Sequence, residues 1–177
     1  MTDFSGYKPF QPLYRGRLED LSAREAKQSF DHLMQAKADR IDELRNLLAR
    51  NGLGLRDSDD GIVALGKWLA SNVELGADGD VRGVWYSVVN DIALFVEDVI
   101  QRRTEGRIRW TYYKSRNKAD VAFQRHVLMG FSKVKNPRYN VDLDYRIADI
   151  ARRAAAGARE EEGKTLAATV KWILEKA

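Results

Sequence analysis

The most informative part of the sequence is residues 84–116, which read VWYSVVNDIALFVEDVIQRRTEGRIRWTYYKSR. From Val84 to Arg103, apolar residues recur at steps of three and four, which predicts an α-helix. Because the apolar stripe covers more than one narrow side of this helix, we expect the helix to be buried. Apolar and polar residues then alternate over Ile108–Tyr112, which is typical of a half-buried β-strand. The stretch therefore predicts a buried helix that leads directly into a strand.

The alternation also predicts which side chains of the strand meet the protein interior. Ile108, Trp110 and Tyr112 should lie on the buried helix, whereas the intervening arginines and Tyr113 should face solvent. β character resumes over Val121–Phe131, and the second strand of the sheet is predicted around Val127–Phe131. Tyr139–Tyr145 has either a strand or a helix-start pattern, and we place the change from strand to helix near Asp144.

Three further helices surround this centre. The first should begin at Ser22, because Ser22 and Glu25 have the spacing of a capping box, and should end near Arg50. A second should end near Glu74, and a last one should cover Thr165–Lys176 after a break at the glycines 157 and 163. This order predicts one helix-rich α+β domain over residues 1–177, with a small antiparallel sheet of two or three strands packed on the long buried helix.

Residues 1–21 form an irregular arm that is rich in aromatic residues. Pro9 and Pro12 favour extended backbone there, and four aromatic side chains are costly to leave in water. One interpretation is that the arm packs on its own domain. The other is that it docks on a partner or on a second copy of the chain, which would give a homo-oligomer.

Composition excludes several classes of protein. The chain has 177 residues, of which 44% are hydrophobic, and no cysteine, so it is a folded protein without disulfide or thiolate chemistry. It shows no secretory signal and no apolar run of the roughly 18 residues that span a membrane, so we expect a soluble cytoplasmic protein. No cofactor motif is present. Asp78 and Asp80 lack the rest of a calcium loop, so no metal site is predicted either.

Charge is distributed unevenly along the chain. Residues 102–138 contain 11 Lys or Arg and 2 Asp or Glu, whereas residues 1–101 contain 12 and 17. The positive segment coincides with the predicted sheet and its loops. We call nine of its residues the basic face and expect them to form a binding surface: Arg107, Arg109, Tyr113, Lys114, Arg116, Lys118, Lys133, Lys135 and Arg138.

Two ligands suit the basic face. An acidic protein surface would be matched by its charge, and this is the function that we favour, without catalysis. Nucleic acid is the alternative, because Lys and Arg neutralise phosphates and an exposed tyrosine stacks on bases. A third reading is that the positive charge balances the acidic N-terminal half within the molecule.

Two titratable residues offer weaker alternatives. Asp91 lies inside the apolar helix, where burial would raise its pKa and suit it to act as a general acid. The simpler interpretation is a structural acid that is hydrogen-bonded to the backbone or paired with Arg107 or Arg109, since buried acids are normally paired. His126 lies in the second strand without a nucleophile motif nearby, so we interpret it as an ordinary strand residue.

Four stretches within Trp85–Val141 resemble a group of small uncharacterised bacterial α+β proteins, some of them immunity-type or accessory proteins. These stretches are WYSVVNDIALFVEDVI, IRW, VLMGF and NPRYNV. This resemblance implies an α+β fold and a bacterial origin. It implies no catalytic residue.

Overall fold

The computed structural model describes residues 1–77, 80–158 and 163–177. In this part of the chain, five α-helices and two β-strands form an α+β fold. Their order and bounds are α1 (Ala23–Arg50), α2 (Asp59–Asn72), α3 (Gly83–Arg103), β1 (Arg109–Tyr112), β2 (His126–Met129), α4 (Leu143–Ala155) and α5 (Leu166–Glu175). A short 3-10 helix, Leu18–Asp20, precedes α1. The predicted α+β fold class is therefore confirmed. Asp78, one of the two aspartates considered for a calcium loop, lies outside the described residues.

Local hydrogen bonds explain where the helices begin. The Ser22 hydroxyl accepts a hydrogen bond from the Glu25 amide, and the Glu25 carboxylate accepts one from the Ser22 amide, so the predicted capping box is confirmed. Ser58 and Thr165 cap α2 and α5 with their hydroxyls. These side chains satisfy backbone N–H groups that have no partner within the first helical turn.

Helix α3 is the centre of the core, as its sequence predicts. Most of its residues are buried, and it contacts α1, α4, α5 and β1. Charged side chains of α3 that lie in the interior have hydrogen-bond partners there. Glu97, which is 3% exposed, accepts hydrogen bonds from the Trp110 backbone N–H at 3.0 Å and from Lys37 Nζ at 2.6 Å. Glu97 therefore covers part of the free edge of β1 and fixes the strand on α3.

The sheet is smaller than the sequence suggests. Strands β1 and β2 pair antiparallel, with Trp110 opposite Leu128 and Tyr112 opposite His126. The second strand, predicted at Val127–Phe131, is observed at His126–Met129, and the β character expected from Val121 onward is absent there because residues 121–124 form turns that bring the chain back to β1. The proposed third strand is reduced to one bridge between Leu128 and Val141.

Helix α4 begins immediately after that bridge, at Leu143. The Asp142 carboxylate accepts a hydrogen bond from the Tyr145 amide at 3.0 Å and caps the helix. An N-cap carboxylate also interacts favourably with the positive end of the helix dipole. Because Asp142 starts α4 in this way, the change from strand to helix occurs two residues earlier than the predicted position near Asp144.

The prediction that Tyr113 faces solvent is wrong. Tyr113 is only 8% exposed and packs with Ala122 and Val127 in a small second cluster. The reason is that the segment 114–125 folds over the outer side of the sheet, and the Tyr113 amide donates to the Arg125 carbonyl at 2.9 Å. The alternation of apolar and polar residues along β1 gives no sign that segment 114–125 covers this side of the sheet.

The N-terminal arm packs on its own domain. Tyr7 is 7% exposed, and the Phe4 ring meets the buried Trp85 ring edge-on with centroids 5.3 Å apart. The Tyr14 hydroxyl donates to the Gln28 side chain on α1 at 2.7 Å. The aromatic residues of the arm thus have intramolecular partners.

Among the described residues, no helix is both long and apolar enough to cross a bilayer.

Candidate functional site

Asp91 belongs to a buried hydrogen-bond network. Arg40, on α1, donates from Nε to Oδ1 of Asp91 at 2.8 Å and from Nη2 to Oδ2 at 2.5 Å. The Tyr7 hydroxyl donates to the same carboxylate at 2.6 Å, and Arg40 Nη1 donates to the Lys8 carbonyl at 2.6 Å. The predicted pairing of Asp91 with Arg107 or Arg109 is therefore wrong, and its partner comes from α1.

The geometry of this network suits a structural link. Asp91 is 0% exposed, and three donors already occupy its carboxylate. Burial and the nearby Asp91 raise the pKa of the Tyr7 phenol, so Tyr7 stays a neutral donor at physiological pH. The network joins the arm, α1 and α3, and it encloses Asp91, whose side chain has no exposed surface.

His126 is held between two elements. Its Nε2 bonds the Asp144 carboxylate on α4, and its ring meets the Trp110 ring edge-on with centroids 5.1 Å apart. Burial lowers the pKa of His126, but attraction to Asp144 and Asp142 and the hydrogen bond to Asp144 outweigh burial and raise the pKa above its ordinary 6.5. His126 therefore links β2 to α4 through Asp144.

This link predicts a pH-dependent stability. Because the pKa of His126 is higher in the folded state, its contribution is fully present below about pH 6.5 and is lost as pH rises through the folded pKa. The expected size is about 1.4 kcal/mol for each unit of difference between the two pKa values. Urea unfolding of the wild type and of His126→Gln between pH 5 and 8 measures it.

The difference in unfolding free energy between the two proteins should shrink as pH rises. Asp144→Asn should abolish most of the same pH-dependent part, because Asp144 supplies the larger attraction and the hydrogen bond, and the double variant should show no more pH dependence than His126→Gln alone. A constant difference across this pH range would contradict the assigned partner of His126.

The structure exposes most of the basic face but divides it. The eight cationic members are all exposed, and only Tyr113 is buried. Arg107 donates to the Ser132 hydroxyl at 3.1 Å and Lys133 Nζ donates to the Glu175 carbonyl at 3.3 Å. Together with Arg109 and Lys135, these two residues lie outside the groove described next.

Four of the remaining members of the basic face, Tyr113, Lys114, Arg116 and Lys118, line a groove at the start of α1. This groove has a volume of about 680 Å³ and runs between residues 21–27 and residues 112–124. A smaller recess beside it shares Lys114, Ser115 and Arg116 and adds Arg138. We define the basic groove by its six cations: Arg24, Lys27, Lys114, Arg116, Lys118 and Arg138.

The charges of the basic groove are largely uncompensated. Within residues 1–77, 80–158 and 163–177, no carboxylate lines the groove, and only Lys27 of the six cations forms an ion pair, with Asp31 at 2.5 Å. Among the described residues, five exposed cations of the groove therefore have no ion-pair partner.

Gln124 holds the two walls of the groove together. Its backbone adopts a left-handed conformation with φ of 58°, and its side chain is 5% exposed. The side-chain Nε2 donates to the carbonyls of Leu18 and Leu21 at 2.7 and 2.9 Å. The Tyr112 hydroxyl adds a hydrogen bond to the Ala23 carbonyl at 3.2 Å. These bonds fix the cationic segment 114–118 relative to α1.

Arg24 and Lys27 are groove residues that the basic face does not include. Their helix lies almost 90 residues before the rest of the groove, so only the tertiary fold brings them together. One local signal exists for Arg24. A cation in the first turn opposes the helix dipole, and such breaks of a local rule concentrate at functional sites.

None of the family models, curated proteins or solved structures compared with this chain matches it. The resemblance to small bacterial α+β proteins therefore stays a prediction, and the functional interpretation depends on the groove alone.

Proposed function

We propose that this protein is a non-enzymatic binding protein that holds an acidic protein partner in the basic groove. The observation that carries the proposal is the lining of the groove by six cations and, among the described residues, no carboxylate. Like charges kept close together at an exposed site are unfavourable until an opposite charge meets them. A ligand with several carboxylates would relieve that repulsion and would be steered to the groove.

The surroundings of the groove favour a protein over nucleic acid. Single-stranded nucleic acid is held by exposed aromatic rings as well as by cations, but Tyr113 is buried and Tyr112 and Phe123 are half-buried. A duplex needs a broad positive surface, whereas Glu19 and Asp20 are exposed in the 3-10 helix just before α1. Nucleic acid is the alternative that the experiment below separates from this proposal.

The test is a charge reversal of the groove. Arg116→Glu with Lys118→Glu should lower the affinity for a fluorescent poly-glutamate peptide at least about tenfold at low salt, because both attractions become repulsions. The control is Lys67→Glu with Lys171→Glu, two exposed lysines on α2 and α5 that give the same change of net charge. Fluorescence anisotropy across a salt series measures the binding of both variants.

Three outcomes are distinct. Loss in the groove variant alone supports the proposal. Equal loss in both variants would show a response to net charge and would contradict it. Tighter binding of a random-sequence oligonucleotide than of poly-glutamate, with affinity falling log-linearly with salt, would assign the groove to nucleic acid instead.

A further inference from the structure

The floor of the basic groove is less polar than its rim. Three half-buried side chains, Leu21, Tyr112 and Phe123, line the groove together with its more exposed cations, and we call these three residues its floor. The Tyr112 hydroxyl is already engaged with the Ala23 carbonyl, so its ring adds further apolar surface there. A ligand that carries only carboxylates would leave this apolar surface in contact with water.

The floor is also preorganised. Gln124 donates hydrogen bonds to the Leu18 and Leu21 carbonyls. These bonds hold two floor residues in place, because Leu21 is an acceptor and Phe123 directly precedes Gln124 in the chain. A side chain that enters would therefore meet a formed surface and would not have to order the loop first. The groove volume of about 680 Å³ is that of a site for a few side chains.

We propose that the partner binds through an acidic segment that places an aliphatic side chain on this floor while neighbouring carboxylates meet the cations. This inference rests on the proposed function and specifies its ligand: an acidic peptide segment interrupted by apolar residues. The pattern follows from the site, because charge complementarity at the rim and apolar burial at the floor call for both residue types within one short segment.

The experiment compares two fluorescent peptides of equal length and equal glutamate content. One has leucine between the glutamates and the other has serine. Wild-type protein should bind the leucine peptide about tenfold more tightly, because one aliphatic side chain leaves water. Phe123→Ala should remove most of this preference while the serine peptide keeps its affinity.

Leu21→Ala supplies a second, independent change to the floor, and thermal unfolding checks that both variants remain folded. Equal binding of the two peptides by the wild type, or an unchanged preference in both folded variants, would overturn the apolar anchor and leave the acidic partner standing. Failure of the wild type to bind either peptide at low salt would overturn the proposed function itself.

Discussion

Replacing Asp91 by alanine should lower the free energy of unfolding by about 3–5 kcal/mol, because removal of one partner leaves the other charge buried and unpaired. The unpaired group would be the Arg40 guanidinium, whose side chain is 8% exposed. The Tyr7 hydroxyl would lose its carboxylate acceptor as well. For a domain of this size, the melting temperature should fall by roughly 6–20 °C.

Thermal and urea unfolding of Asp91→Ala measure this effect, and Asp98→Ala is the matched control. Asp98 lies on the same helix, but its side chain is 34% exposed, and of its two ion-pair partners Arg102 is 53% exposed and Lys37 is 18% exposed. Its replacement should cost less than about 1 kcal/mol. Replacing both Asp91 and Arg40 by leucine and methionine should recover part of the loss, since no charge is then buried alone.

The same variant separates the structural role of Asp91 from the catalytic alternative. A protein that keeps its stability in Asp91→Ala but loses a ligand-dependent property would require Asp91 to act on a ligand. The closed network around Asp91 leads us to expect the opposite, a large loss of stability without a specific functional loss.

Replacing Trp85 by alanine should have an effect of similar size, about 3–5 kcal/mol, because a large ring would leave a cavity in the core. Trp85 is 0% exposed, and its ring contacts Phe4 of the arm and Trp68 of α2, with centroids 5.3 and 5.5 Å apart. The cavity would therefore loosen the attachment of the arm as well as the core.

Tyr86→Ala is the control for Trp85→Ala, because Tyr86 follows on the same helix and is 42% exposed. It should cost less than about 1 kcal/mol. Urea unfolding gives both values, and limited proteolysis with chymotrypsin after Phe4 and Tyr7, which pack on the domain, reports on the arm. If Trp85→Ala left both the stability and the protection of the arm unchanged, the packing of the arm on α3 would be contradicted.

Periodicity and capping made much of the fold predictable from the sequence. The apolar repeat of Val84–Arg103 identifies α3 as a buried helix, and the Ser22 and Glu25 spacing identifies the start of α1. These signals are local, because each depends on residues within a few helical turns.

The parts that were not predictable depend on distant contacts. The partner of Asp91 lies 51 residues earlier on α1, and no local pattern in the sequence distinguishes Arg40 from Arg107 or Arg109 as that partner. The burial of Tyr113 depends on how segment 114–125 folds over the sheet. Arg24 reaches the groove for the same kind of reason, since only the packing of α1 places it opposite Lys114 and Arg116.

The most direct measurement of the proposed role of the basic groove is an amide NMR titration of the isotopically labelled protein with the poly-glutamate peptide. The proposal predicts that the shift changes concentrate at residues 22–27 and 113–118, on the two walls of the groove. Changes that centre instead on α2 and α5, or that are spread evenly over all exposed lysines and arginines, would contradict a specific acidic-ligand site in this groove.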